Sequence, residues 1–151
     1  MHSPPFSLMT DVSGGAAVYT HRVQYYETDQ MGFAHHSNFI RWMEEARIDF
    51  MDEIGYPYTR MEAEGVISPV RAVRCQYKHP CKFGDLVSIR VMVESFNGVV
   101  LVITYEMKLP TGEVACVGQS EHVFLNREGR IIRMKRDMPE FCAALEARIG
   151  V

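Results

Sequence analysis

Residues 25–50 read YYETDQMGFAHHSNFIRWMEEARIDF. In the second half Phe39, Trp42, Met43, Ala46 and Phe50 recur at helical spacing and, with Ile54, share one face. Arg41, Glu44, Glu45, Asp49 and Asp52 fall on the other side or its flanks. Ile40, Ile48 and Met51 lie outside the main stripe, so this helix is expected to be covered on more than one side. Ser37 or Asn38 suits its N-cap, and Gly55 and Pro57 end it. The first half sets Glu27, Asp29, Gly32 and the adjacent His35 and His36 immediately ahead of it. An acidic turn is thus delivered against the start of one mostly apolar helix.

Upstream, residues 18–26 alternate loosely and suit a first strand. Downstream of Gly65 the period changes from helical to two. Residues 66–82 are extended, but Pro69 and Pro80 bar them from a fully paired central position. Val87, Ile89, Val91 and Val93 share one face of a strand. Asn97-Gly98 follows as a hairpin signal, and Val99, Leu101, Ile103, Tyr105, Met107 and Leu109 face one way on the next strand. After Pro110-Thr111-Gly112, residues 114–125 form the last long strand, and residues 139–149 a short terminal helix with Phe141, Leu145 and Ile149 at i, i+4, i+8. The order is one strand, one long helix, then four strands in antiparallel succession. An antiparallel sheet can bury one face under a helix, which makes the fold class α+β.

The chain's 151 residues suit one domain, expected over 18–151 behind a flexible leader at 1–17. Hydrophobic residues are 47% and charged residues 23%, with a formal charge of -3, so neither nucleic acid nor an anionic membrane is expected as a partner. No apolar run is long enough to span a bilayer, and the N-terminus lacks the pattern of a signal peptide. Cys75, Cys81, Cys116 and Cys142 contain no CxxC pair and match no zinc pattern; they read as reduced thiols of a cytoplasmic protein.

The residues alone leave three readings of the acidic turn open. Asp29 can be a turn or capping residue beside polar loop histidines. Asp29, His35 and His36 can be metal ligands, although adjacent histidines point apart and no further ligand sits at useful spacing. Or Asp29 can be a catalytic carboxylate set against a helix N-terminus, whose free N–H groups polarise a carbonyl. There the carboxylate attacks the carbonyl or activates a water, while Gly32 lets the backbone adopt a positive φ. That site needs neither metal nor cofactor.

The stretch resembles the start of the 4-hydroxybenzoyl-CoA thioesterase family, including the acyl-CoA thioesterases associated with the Tol–Pal system. The resemblance rests on Tyr25-Tyr26-Glu27-Thr28-Asp29, Gly32, Ser37-Asn38-Phe39 and Trp42-Met43-Glu44, and extends to Ser68-Pro69-Val70 and Phe83-Gly84-Asp85. It implies a hotdog fold, an antiparallel five-stranded sheet wrapped around one long helix. It implies hydrolysis of an acyl-CoA to free acid and CoA, with Asp29 as nucleophile or base and the His36 backbone N–H polarising the thioester carbonyl. It places Gly32, Phe33, Ser68 and Arg71 in substrate binding. It implies a homodimer or homotetramer with sites between subunits, and an acyl carrier protein remains open as an alternative carrier. Some members carry a basic cluster near the hairpin turn that grips CoA phosphates; residues 94–98 here hold no Lys or Arg, so Arg71, Arg74, Lys78 or Lys82 is left for that task. The readings set against hydrolysis are a non-catalytic acyl-CoA-binding hotdog domain with a regulatory role, and a hotdog dehydratase.

Overall fold

The computed structural model describes residues 17–149. The expected leader, residues 1–17, lies outside them except for Ala17, which opens the first strand. The elements are β1 (Ala17–Arg22), α1 (Ser37–Glu53), α2 (Tyr58–Ala63), β2 (Val70–Tyr77), β3 (Leu86–Phe96), β4 (Val100–Lys108), β5 (Val114–Val123), α3 (Met134–Asp137) and α4 (Pro139–Glu146). A single 3₁₀ turn, Tyr25–Glu27, follows β1.

The sheet order is β1-β3-β4-β5-β2, and every neighbouring pair is antiparallel. α1 lies against β1, β3 and β2. Its buried stripe is the expected one: Phe39, Trp42, Met43, Ala46 and Phe50 are all buried. It meets Val87, Ile89, Val91 and Val93 of β3 and Leu101, Ile103, Tyr105 and Met107 of β4 in one core. The approach to β5 is close enough that a Cβ on Gly118 would come within 2.8 Å of the Met43 sulfur. A side chain there would overpack the helix–sheet contact.

Four local expectations need correction. Consecutive strands do not all form hairpins: β2 pairs with β5, at the opposite edge from β1, and the chain then crosses to β3. Residues 78–85, with Pro80 inside them, are too long for the tight turn a hairpin requires. Met51 needs no outside cover, because it is 4% exposed, whereas Ile40 and Ile48 remain open at 43% and 39%. Neither Ser37 nor Asn38 caps α1; His36 occupies the cap position without a side-chain bond. The first strand ends at Arg22, and its expected tail becomes the 3₁₀ turn. The helices α2 and α3, of six and four residues, are too short to leave a periodic signal.

His122, on β5, is fully buried. Tyr105 and Ser120 hydroxyls lie 2.8 Å apart, and Ser120 Oγ lies 2.7 Å from His122 Nε2. Burial, reinforced by the Arg47 charge, pushes the imidazole down to about 3 from 6.5. Between pH 6.5 and about 3 the unfolded chain therefore binds a proton that the folded chain refuses. Stability falls as pH falls through this window, by up to about 1.4 kcal/mol per pH unit. His122→Gln should flatten the pH dependence of the urea midpoint there. An unchanged slope would show that His122 does not titrate in this window.

Candidate active site

The turn after β1 is closed by its own backbone. Asp29 N–H donates to the Phe33 carbonyl at 2.9 Å, and Gly32 N–H donates to the Asp29 carbonyl at 2.9 Å. Gly32 has φ +83°, a conformation that side chains resist, which explains the glycine. Asp29 Oδ1 accepts the Met31 N–H at 2.9 Å, an Asx-type turn. Among the described residues the second carboxylate oxygen has no donor. The turn is then stitched to the segment before β3, with Ala34 N–H donating to the Cys81 carbonyl at 2.7 Å.

Glu27 fastens this turn to the helix. It is buried, and its Oε1 accepts the Gln24 N–H at 2.8 Å and lies 2.8 Å from His21 Nε2. Its Oε2 accepts the Trp42 indole N–H at 2.7 Å. Its carbonyl accepts both the His35 N–H at 2.8 Å and the Asn38 side-chain amide at 2.9 Å. Burial alone would raise this carboxyl's pKa; the donors from Gln24, His21 and Trp42 outweigh it and hold the group below its ordinary value. Asn38 is thus spent on tying turn to helix rather than on capping.

At the helix start the donors can be accounted for one by one. Ser37 N–H reaches His35 Nδ1 at 3.2 Å, Asn38 N–H the His35 carbonyl at 3.0 Å, and Phe39 N–H the His36 carbonyl at 3.3 Å. The His36 N–H has no acceptor among the described residues. Tyr77, at the end of β2, donates its hydroxyl to the His36 carbonyl at 3.0 Å and so ties the helix start to the sheet edge. Asp29 and His36 line one pocket of about 320 Å³, walled by Met31, Phe33, Phe39, Tyr77 and Pro80, with Lys78 and His79 also on its lining. A carboxylate and an unengaged backbone donor beside an apolar wall form a minimal kit for attack on an activated carbonyl. No group of three or more His, Cys, Asp or Glu side chains suited to a metal ion occurs among the described residues.

Residues 23–146 match the model of the thioesterase-like superfamily. The chain belongs to that superfamily. A putative acyl-CoA thioesterase, YneP of Bacillus subtilis, is 34% identical over 125 residues, covering 82% of this chain and 91% of the relative. A DHNA-CoA thioesterase from Staphylococcus aureus superposes with a TM-score of 0.84 at 30% identity, covering 87% of this chain and 89% of its own. A gentisyl-coenzyme A thioesterase gives 0.76 at 25% identity, covering 85% and 98%. The five-stranded sheet around α1 is the hotdog fold of this superfamily.

Of the superfamily-type site residues expected from sequence, Asp29, Gly32, Phe33 and His36 come together in one turn and helix start. Ser68 and Arg71 do not join them within the chain. Ser68 is buried beside a small cavity under α1, with Arg47 and His122. Arg71 stands at the far end of β2 from Tyr77, 3.6 Å from Glu121. Glu27 and Tyr77 carry structural roles that sequence reading did not assign. A buried carboxylate two residues before Asp29 looks in sequence like one more acid of the turn.

Glu27→Gln should show what the fastening contributes. The amide must turn its NH₂ toward either the Gln24 or the Trp42 N–H, donor against donor. Removing a charged hydrogen-bond acceptor costs about 2 kcal/mol. Displacement of the Asp29 turn should lower kcat about tenfold, with KM nearly unchanged. Equal kcat in both proteins would leave Glu27 a purely structural anchor.

Proposed function

We propose that this chain hydrolyses an acyl-CoA thioester to a free acid and CoA, with Asp29 as the working carboxylate and the His36 N–H polarising the carbonyl. The observation that carries the reading is that Asp29 and His36, whose N–H has no acceptor among the described residues, line one pocket at the start of α1. Superfamily membership and relatives named as acyl-CoA thioesterases support the reaction class and disfavour a non-catalytic acyl-CoA-binding role. The finer resemblance to 4-hydroxybenzoyl-CoA thioesterases, Tol–Pal-associated members included, rests on the motif alone. A cytoplasmic location goes with the four free thiols. No helix among the described residues is long and apolar enough to cross a membrane.

A thioester needs little activation, because its carbonyl has weak resonance support and its thiolate leaves readily. Either Asp29 attacks the carbonyl carbon, expels the thiolate and forms a mixed anhydride that water then opens, or it takes a proton from a water that attacks directly. A single turnover in ¹⁸O-water labels the product acid directly by the second route. By the first route, with water opening the anhydride at Asp29, the label enters the carboxylate. Thiol release from a panel of acyl-CoAs tests the function itself. CoA binding without thiol release would establish the regulatory alternative.

The site is proposed to work in a homodimer, alone or within a tetramer. β2 is an open sheet edge, with Val70, Val73 and Tyr77 exposed at 52%, 40% and 46%. An unpaired apolar edge is a template for another strand. Antiparallel pairing of two copies about the Val73–Arg74 peptide sets Arg71 of one copy opposite Gln76 of the other, beside Tyr77. In that register Arg71 would approach the pocket of a second copy. Val73→Glu should yield monomers with native circular dichroism and little activity. A native monomer that retains full activity would refute the shared site.

A further inference from the structure

The small cavity under α1 gathers three polar side chains that the Asp29 site does not use. Arg47 on α1, Ser68 ahead of β2 and His122 on β5 line it, and they are 9%, 8% and 1% exposed. The rest of the wall is mostly apolar, with Met51, Met61, Ile103 and Phe124 in it, and no carboxylate lines it. Among the described residues the Arg47 guanidinium has no carboxylate partner and the Ser68 hydroxyl has no hydrogen-bond partner.

The hydrogen-bond chain beside the cavity fixes where its protons lie. A guanidinium only donates, so Arg47 donates to the Tyr105 hydroxyl oxygen. Tyr105 must then give its own proton to Ser120 Oγ, 2.8 Å away, because the reverse would leave a fully buried phenol proton without an acceptor. Ser120 in turn donates to His122 Nε2 at 2.7 Å. Burial and the Arg47 charge keep this imidazole neutral at pH 7, so its one proton sits on Nδ1. Nδ1 has no partner among the described residues. The guanidinium, the Nδ1–H and the Ser68 hydroxyl are thus three donors around one cavity.

We propose that this cavity binds a single small monovalent anion, of the size of chloride or bromide, held by Arg47, Ser68 and His122. A water could accept two of these donors, but its own hydrogens would then meet a mostly apolar wall. An anion needs donors alone, and it compensates a buried guanidinium that is costly without a counter-charge. The cavity, about 10 Å³, has room for one particle of roughly water size. A halide fits with a slight movement of the adaptable Met51 and Met61 side chains, whereas sulfate or a sugar carboxylate does not. The ion joins the middle of α1 to β5 and to the segment that leads into β2, so it stabilises the helix–sheet contact.

Crystals grown in bromide and measured at the bromine absorption edge test the site directly. An anomalous peak within hydrogen-bonding reach of Arg47 and His122 Nδ1 is expected. A water in that place, or a side chain of a second copy filling the cavity, would overturn the proposal. In solution the melting temperature should rise with chloride and with bromide relative to gluconate at equal ionic strength, and the rise should follow a binding isotherm. Ser68→Ala removes one neutral donor and keeps the charge; it should raise the halide Kd about fivefold. Arg47→Met should abolish the halide-specific rise. Should Arg47→Met fail to fold, Ser68→Ala and the bromide map decide the question without it. Equal melting in chloride and gluconate, or a halide effect that Ser68→Ala leaves undiminished, would overturn the assignment.

Discussion

Asp29→Asn should keep the fold and lose at least about a hundredfold in turnover, the lower range for removal of a general base. The structure makes this substitution unusually clean. Among the described residues the carboxylate's one hydrogen bond is from the Met31 N–H to Oδ1, and an asparagine carbonyl oxygen accepts it equally well. The backbone bonds that close the turn, from Asp29 to Phe33 and from Gly32 to Asp29, do not involve the side chain. What disappears is the negative charge and the second oxygen, which has no donor among the described residues. Asparagine neither takes a proton from water at neutral pH nor forms an anhydride. Thiol release and the melting curve must be measured together. Near-native turnover at an unchanged melting temperature would return Asp29 to the role of an Asx-turn residue and leave the pocket without a base.

The parts of this molecule that sequence made legible are those where one physical rule acts alone. The α1 stripe is legible because every third or fourth residue must be apolar to cover a sheet, and Phe39, Trp42, Met43, Ala46 and Phe50 obey it. β3 and β4 are legible for the same reason at period two, with Asn97-Gly98 between them. Pro69 and Pro80 bar residues 66–82 from a fully paired central position, and β2, which they flank, lies at a sheet edge. Its partner β5 was not legible, because pairing across the sheet depends on the whole topology and on no local feature. The same limit applies at the site. Asp29, Gly32 and His36 lie within eight residues and share one turn, so resemblance carries them together. Ser68 and Arg71 come from another part of the chain, and a motif match says nothing about where the fold takes them. Glu27 was hidden because burial decides its role, and nothing local distinguishes a buried acid from a solvated one.

His36→Pro is expected to be nearly as damaging as Asp29→Asn, while His36→Ala is mild. The contrast follows from the donor account at the start of α1. Ser37, Asn38 and Phe39 N–H groups all have acceptors, and the His36 N–H has none among the described residues. Proline at this position therefore deletes no hydrogen bond of the fold. Its ring also suits the local backbone, since His36 has φ -57°. A purely structural reading predicts almost no consequence. If this N–H polarises the thioester carbonyl, its removal should cost about a hundredfold or more in kcat, the scale of losing one oxyanion donor. Alanine keeps the donor and removes only the imidazole, whose ring stands 6.1 Å from that of Tyr77. Proline also biases His35 toward extended backbone, and the His35 carbonyl accepts the Asn38 N–H. The melting temperature of the variant must accordingly stay near native for its kinetics to count. Equal losses in Ala and Pro would assign the chemistry to the imidazole. Equal activity in native, Ala and Pro proteins would remove the helix start from catalysis and leave Asp29 to act on a carbonyl polarised from elsewhere.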